Sequence, residues 1–314
     1  MKVLFLCPDY FGIYKEIEKS IQSNFDCELT TVVFKNYKYK SVFHKILNSL
    51  AKVFMGRNLK KEWASAERVK SIAKNAQYDI LFAISPEMLL NKDLERITKQ
   101  SKKNVVYYWD SFKNIPRYHR TLQFFDKKFS FEKDDVAQLN LEFLTNFYFK
   151  EATPSETTLD VFFIGTFDKR YDTLKDIASK LLKANKTVKI ILQNPNQDII
   201  DKHTCEGIEF IKQPIPVSET ESYLKSAKII LDIQKDIQKG LTFRVFEAMG
   251  LKKKLITTNK DIVNYDFYNP NNILVWDENK TSIPESFISL PYEELPKEIY
   301  EKYNSNNWIK KVLE

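Results

Sequence analysis

The 314-residue chain is 43% apolar, 14% aromatic and 29% charged, a balance that supplies packed cores and excludes a disordered or low-complexity protein. Its length suits two domains of about 150 residues each better than a single core. The net charge of +7 is modest, no apolar run nears the roughly 18–20 residues needed to span a bilayer, and Cys7, Cys27 and Cys205 lack metal-ligand spacing, so reduced thiols and a cytoplasmic location are expected.

Lys2–Cys7 (KVLFLC) is a β-rich run ending at Pro8-Asp9. Met1–Pro8 is too short for a secretory signal and lacks its cleavage site, so it reads as a first strand. A helix is expected over about Tyr14–Ser23, then strands at Cys27–Phe34, Tyr78–Ile84 and Asn104–Trp109, with extended pieces at Asp126–Phe131 and Phe143–Phe149. Strand runs separated by helix-length segments indicate a parallel sheet. The polar stretch Lys150–Thr158, containing Pro154, divides the chain into domains 1–150 and 151–314. The second half repeats the pattern, with strands at Asp160–Ile164, Thr187–Leu192, Gly207–Ile211, Lys228–Ile233, Lys254–Thr258 and Ile273–Trp276. Helices are expected at Tyr171–Ala184, at Ser218–Lys225 with a capping box from Ser218 to Glu221, and as a closing pair at Tyr292–Tyr303 and Asn306–Leu313. Two doubly wound α/β halves hold ligands at the carboxyl ends of their strands.

Residues 35–61 carry eight basic side chains (Lys35, Lys38, Lys40, Lys45, Lys52, Arg57, Lys60, Lys61) and no acid. Within them Val42, Phe43, Ile46, Leu47, Leu50, Val53 and Phe54 recur at helical spacing. Such a helix either lies on an anionic membrane surface or packs its stripe on the sheet with its lysines solvated. No nucleic-acid module is visible, and none is expected as a partner.

Gly240–Leu255 (GLTFRVFEAMGLKKKL) carries the chemistry. Gly240 permits a tight turn, and the amides opening the next helix, with the Thr242 hydroxyl, offer an anion site. Arg244 lies about one turn in, Glu247 shares its face, and Gly250 is placed to end the helix. Gly240-x-x-x-Arg244-x-x-Glu247-Ala248-Met249-Gly250 followed by a strand resembles the donor-binding signature of GT-B glycosyltransferases, nearest the family-4-like group and its spore-maturation-protein-like (CgeB-like) branch. Asp160–Arg170 resembles the strand and glycine loop opening the C-terminal domain of that branch, and Phe125–Asp134 a stretch near the end of its N-terminal domain.

The resemblance implies an α/β GT-B fold, two doubly wound Rossmann-like domains facing a central cleft. It implies a nucleotide-sugar donor whose ribose Glu247 holds. Arg244 and the segment Gly240, Leu241 and Thr242 face the diphosphate, with charge added by Arg170 or Lys239. Gly165 and Thr166 form the opposite wall, and the loop Gln213–Val217 frames the base. Lys239 stands where retaining members carry a second glutamate, so stereochemistry is left open. No Asp-x-Asp motif occurs, and neither a metal nor another cofactor is expected. On the acceptor side Asp110 and Asp9, each after a strand, are the expected catalytic bases, Asp110 favoured by its neighbour Trp109; Glu87 and His119 are further choices. The expected acceptor is a glycan or lipid-linked glycan in bacterial surface polysaccharide or lipopolysaccharide assembly. A nucleotide-sugar epimerase of the same architecture and a non-catalytic recruiting subunit are the alternatives.

Overall fold

Val3–Leu6 and Ile80–Ala83 are apolar at consecutive positions, so each strand needs cover on both faces, which a parallel sheet between helix layers supplies. In the computed structural model, which describes residues 1–10, 12–235, 239–277 and 282–314, these runs form the centre of a sheet. The chain divides into two compact units, Met1–Leu144 with Ser305–Glu314, and Thr145–Asn304.

The first unit begins with β1 (Lys2–Pro8), α1 (Ile13–Asn24), β2 (Glu28–Phe34), α2 (Val42–Met55), α3 (Leu59–Arg68) and β3 (Tyr78–Ile84). It continues with α4 (Asn91–Thr98), β4 (Ser101–Tyr108), β5 (Lys127–Ser130), α5 (Lys133–Leu139) and β6 (Glu142–Phe143). Its parallel strands run in the order β2-β1-β3-β4-β5-β6, so the winding reverses between β1 and β3. Successive side chains part to opposite faces. Leu4, Leu6, Leu81 and Ala83 join a core with Val69, Ile72, Leu94 and Ile97. Phe5 stacks on Phe82 at 5.1 Å on the other face. The stretch Phe143–Phe149 is not one extended piece: β6 stops at Phe143, and Tyr148 bridges Asn304 within the second unit.

The second unit comprises β7 (Leu159–Thr166), α6 (Tyr171–Lys183), β8 (Val188–Gln193), α7 (Gln197–His203), β9 (Ile208–Ile211) and α8 (Val217–Ser226). After these come β10 (Ala227–Asp232), α9 (Phe243–Gly250), β11 (Lys254–Thr257), β12 (Ile273–Val275), α10 (Glu285–Ser289) and α11 (Lys297–Lys302). The parallel order is β12-β11-β10-β7-β8-β9, with the reversal between β7 and β10. Phe162, Ile230 and Leu255 pack under α8 and α9, while Val161, Phe163 and Ile229 pack under α6.

The last helix, α12 (Ser305–Leu313), was expected to close the second half; it belongs to the first unit instead. The reason is its buried stripe. Trp308 meets Tyr107 edge-on at 5.0 Å and Phe82 at 6.0 Å, and the Ser20 and Ser305 hydroxyls are 2.8 Å apart. Two local expectations also change. Pro216 is the N-cap of α8, so Ser218 lies inside the helix and caps nothing; Glu221 pairs with Lys150 and Lys225. Gly250 lies within α9, and the left-handed residue that follows is Lys252 (φ 52°). A Cβ on Gly250 would stand 2.4 Å from the Lys150 carbonyl oxygen and 2.7 Å from the Tyr148 ring, so close approach explains the glycine.

Gly250→Ala is therefore expected to destabilise the protein by about 1–3 kcal/mol through overpacking, even though alanine is the better helix former by about 1 kcal/mol. Urea denaturation checks this, and a stabilised variant would disprove the close approach.

Candidate functional site

The carboxyl ends of β7 and β10, neighbours across the reversal, carry the residues expected to bind a donor. At the end of β10 sits Asp232, 4% exposed. Parallel pairing sets Asp232 beside Thr257 of β11. The Thr257 hydroxyl donates to Oδ2 at 2.9 Å, and that of Thr242, the N-cap of α9, donates to Oδ1 at 2.7 Å. Burial pushes the Asp232 carboxyl up, opposed by these two bonds and by the charges of Arg244 and Arg170. One carboxylate thus joins two strands to a helix.

Arg170 spans the reversal. It grips Asp168 with Nε and Nη2, both at 2.8 Å, and donates to the carbonyl oxygens of Ile233 (3.2 Å) and Thr166 (3.4 Å). Burial would raise the Asp168 carboxyl, but the bonds from Arg170 outweigh it and leave the group below the usual range. Four of the five guanidinium donors are therefore engaged, and Arg170 acts here as a clamp between β7 and β10. A Cβ on Gly165 would touch the Phe163 ring at 3.0 Å and approach Arg170 Nη2 at 3.6 Å, so this glycine leaves room for the clamp.

The amides at the start of α9 are less open than the sequence suggests. Arg244 N donates to Thr242 Oγ1 and Val245 N to Thr242 O, each at 3.2 Å, because Thr242 is a true N-cap. Asp232 Oδ1 also already holds the Thr242 hydroxyl at that helix end. Gly240 and Leu241 are buried, and the Leu241 carbonyl accepts from Asn146 Nδ2 at 3.0 Å. Arg244 and Glu247 are brought together as spacing predicts, bonded to each other at 2.6 Å and partly exposed. Among the described residues that is the one side-chain bond its guanidinium makes, which leaves most of its donors for a ligand. Asp232 and Thr257 were not anticipated; the signal was a carboxylate inside the apolar run Ile229–Ile233.

In the first unit the reversal lies between β1 and β3. Asp9, after β1, is exposed and accepts from Gly12 N at 3.1 Å. Asp110, after β4, accepts from Ser111 N at 2.8 Å and Asn114 Nδ2 at 2.6 Å, so both its oxygens hold its own loop. His119 is exposed and meets Phe112 edge-on. Glu87, in the turn after β3, differs from all three. It is 6% exposed, its buried Oε2 has no hydrogen-bond partner among the described residues, and burial pushes its carboxyl up to about 7 against a bond from its own backbone and the charges of Arg117, Arg120 and Arg68. Beside it the Ser85 and Tyr118 hydroxyls are near each other but form no well-aligned bond. Ser85 itself is left-handed at φ 55°. Each orphaned polar group costs about 1–3 kcal/mol, and strain gathered at one strand end is characteristic of a ligand site. Glu87 also lines a cleft of about 750 Å³ with Lys60, Lys61, Arg68, Arg117 and Arg120.

The stripe on α2 faces outward. Asn48 and Ala51 are its buried residues, whereas Val42, Phe43, Ile46, Leu50, Val53 and Phe54 are 48–79% exposed and Leu47 is half-buried. The inward face is polar because Asn48 donates to Tyr39 Oη at 2.8 Å and accepts from Lys60 N at 2.9 Å. Among the described residues no helix is long and apolar enough to cross a membrane.

No known protein family and no curated protein matches the sequence. Solved structures do resemble the chain. AviGT4, a glycosyltransferase involved in avilamycin A biosynthesis, superposes with a TM-score of 0.58 at 10% identity, over 99% of this chain and 95% of that one. A Listeria monocytogenes protein described as a UDP-N-acetylglucosamine 2-epimerase gives 0.50 at 11% identity, over 99% and 94%. The T4 phage β-glucosyltransferase bound to UDP-glucose gives 0.48 at 15% identity, over 87% and 85%. At such identities the likeness shows the fold: the chain is an α/β protein of the GT-B fold, with a parallel six-stranded sheet in each unit.

Proposed function

We propose that the protein is a glycosyltransferase that moves a sugar from a nucleotide-sugar donor to a glycan or lipid-linked acceptor without a metal ion. The observation carrying this reading is the pair Arg244 and Glu247 at the head of α9, beside the reversal of the second sheet, mounted on the Asp232 junction. Arg244 faces the departing diphosphate and stabilises its charge; Glu247 accepts from the ribose hydroxyls. Gly240, Leu241 and Thr242 shape the floor, and Gly165 and Thr166 the opposite wall. A thermal-shift screen against UDP, GDP, CMP, ADP and dTDP, with and without chelator, tests the donor site. One nucleoside diphosphate at a hundredfold excess over its dissociation constant adds about 2.7 kcal/mol, and Glu247→Ala should abolish that shift. No shift with any of them would leave a non-catalytic subunit as the better reading.

For the acceptor base, the orphaned oxygen and raised pKa favour Glu87 over Asp110 and Asp9, whose bonds are those of loop caps. Only the ionised form accepts a proton, so kcat/KM should climb with pH and level off above about 7. Glu87→Gln should flatten that rise and lower the rate by roughly 10²–10⁴-fold. A rise that survives in Glu87→Gln and disappears in Asp110→Asn would transfer the role to Asp110.

The outward apolar face of α2, in a segment with basic residues and no acid, supports a peripheral position on an anionic membrane and an acceptor in surface polysaccharide or lipopolysaccharide assembly. Co-sedimentation with anionic vesicles should be lost when Val53 and Phe54 are both changed to Asp, and unaltered binding would remove the membrane from the proposal. The likeness to the Listeria protein favours epimerase activity as a second reading. Conversion of a UDP-sugar to its epimer without any acceptor would select it.

A further inference from the structure

We propose that the cleft of the first unit binds a phosphate-class anion carried by the acceptor, a proposal that rests on reading this unit as the acceptor side. Its floor is built from arginines. Arg68 Nη1 donates to the Met88 carbonyl at 2.7 Å; Arg120 Nη2 donates to those of Glu87 at 2.7 Å and Leu89 at 2.5 Å. The turn 87–89 is thereby fixed with all three carbonyls on guanidinium groups. Arg120 also holds Asn91 Oδ1. Arg68 Nε, in contrast, is buried and has no hydrogen-bond partner among the described residues.

The rim supplies charge without counter-charge. Among the described residues Lys60, Lys61 and Arg117 take part in no ion pair, although Lys and Arg elsewhere in the chain commonly do. Lys60 lies over the Tyr39 ring at 5.3 Å, and α2 holds its backbone through Asn48. Five cations thus line a space with a single carboxylate, Glu87.

A tetrahedral dianion answers this excess of charge. Its oxygens accept from Arg117, Lys60 and Lys61 at the rim, as charge-assisted bonds stronger than neutral ones. An uncharged glycan would leave the cations unneutralised. A hydroxyl on the same acceptor then lies within the cleft that Glu87 lines, which links anion recognition to the deprotonation proposed above.

The test is calorimetric titration of the full chain with inorganic phosphate, with no donor present. The wild type should bind, and Arg117→Ala and the Lys60→Ala/Lys61→Ala pair, all exposed side chains, should each weaken binding tenfold or more. Lys183→Ala, a charge-matched control in the second unit, should leave it unchanged. Vesicles containing phosphatidic acid distinguish the source: vesicle binding that falls in Arg117→Ala identifies a lipid-borne phosphate, and vesicle binding that does not fall identifies a soluble one. No phosphate binding, equal binding in the cleft variants, or binding lost only in Arg244→Ala overturns the site. Because no sugar transfer is read, phosphate binding without any nucleotide shift would remove the transferase reading and leave the cleft standing.

Discussion

Asp232 is a buried carboxyl held by two threonine hydroxyls that reach it from different elements. A polar group in that position is tolerable only while both partners stay in place, since an unpaired buried group costs about 1–3 kcal/mol. The strand end, the neighbouring strand and the helix cap are therefore tied to one geometry. Arg244 and Glu247 begin one residue and four residues after the Phe243 that opens that helix, so their positions inherit the same constraint. Arg170 adds the second tie, from β7 to β10, so this edge of the sheet is held by two side chains of its own.

The first unit shows the opposite arrangement at the equivalent place in its sheet. Around the end of β3 the Ser85 and Tyr118 hydroxyls and Glu87 Oε2 are buried without well-aligned partners among the described residues, and a serine occupies backbone space that disfavours side chains. The surrounding arginines fix the turn but leave the carboxyl of Glu87 close to the midpoint of its titration at neutral pH. At one edge both oxygens of the buried carboxyl are bonded; at the other, among the described residues, Glu87 Oε2 is not.

The strands were readable because a buried parallel strand is a continuous apolar run, as in KVLFLC and YDILFAI. Arg244 and Glu247 were readable because helical spacing alone puts them on one face. Asp232 was not, since its partners lie ten and 25 residues away and meet it only through the cap of α9 and the register of β11. Glu87 gains its character from Arg68, Arg117 and Arg120, which no local pattern gathers. On α2 the spacing gave a stripe but not its direction, which two bonds of Asn48 decide. Gly250 looked like a helix stop because close approach to residues 148–150 leaves no trace near it in the sequence.

The placement of α12 has a consequence for how the chain comes into being. Residues 145–304 form a whole unit that emerges from the ribosome before the ten residues 305–314, which the first unit needs to cover Phe82 and Tyr107. The part synthesised first is thus finished last. Until then its sheet carries an uncovered aromatic face, and a fragment cut at residue 144 would keep that face permanently bare.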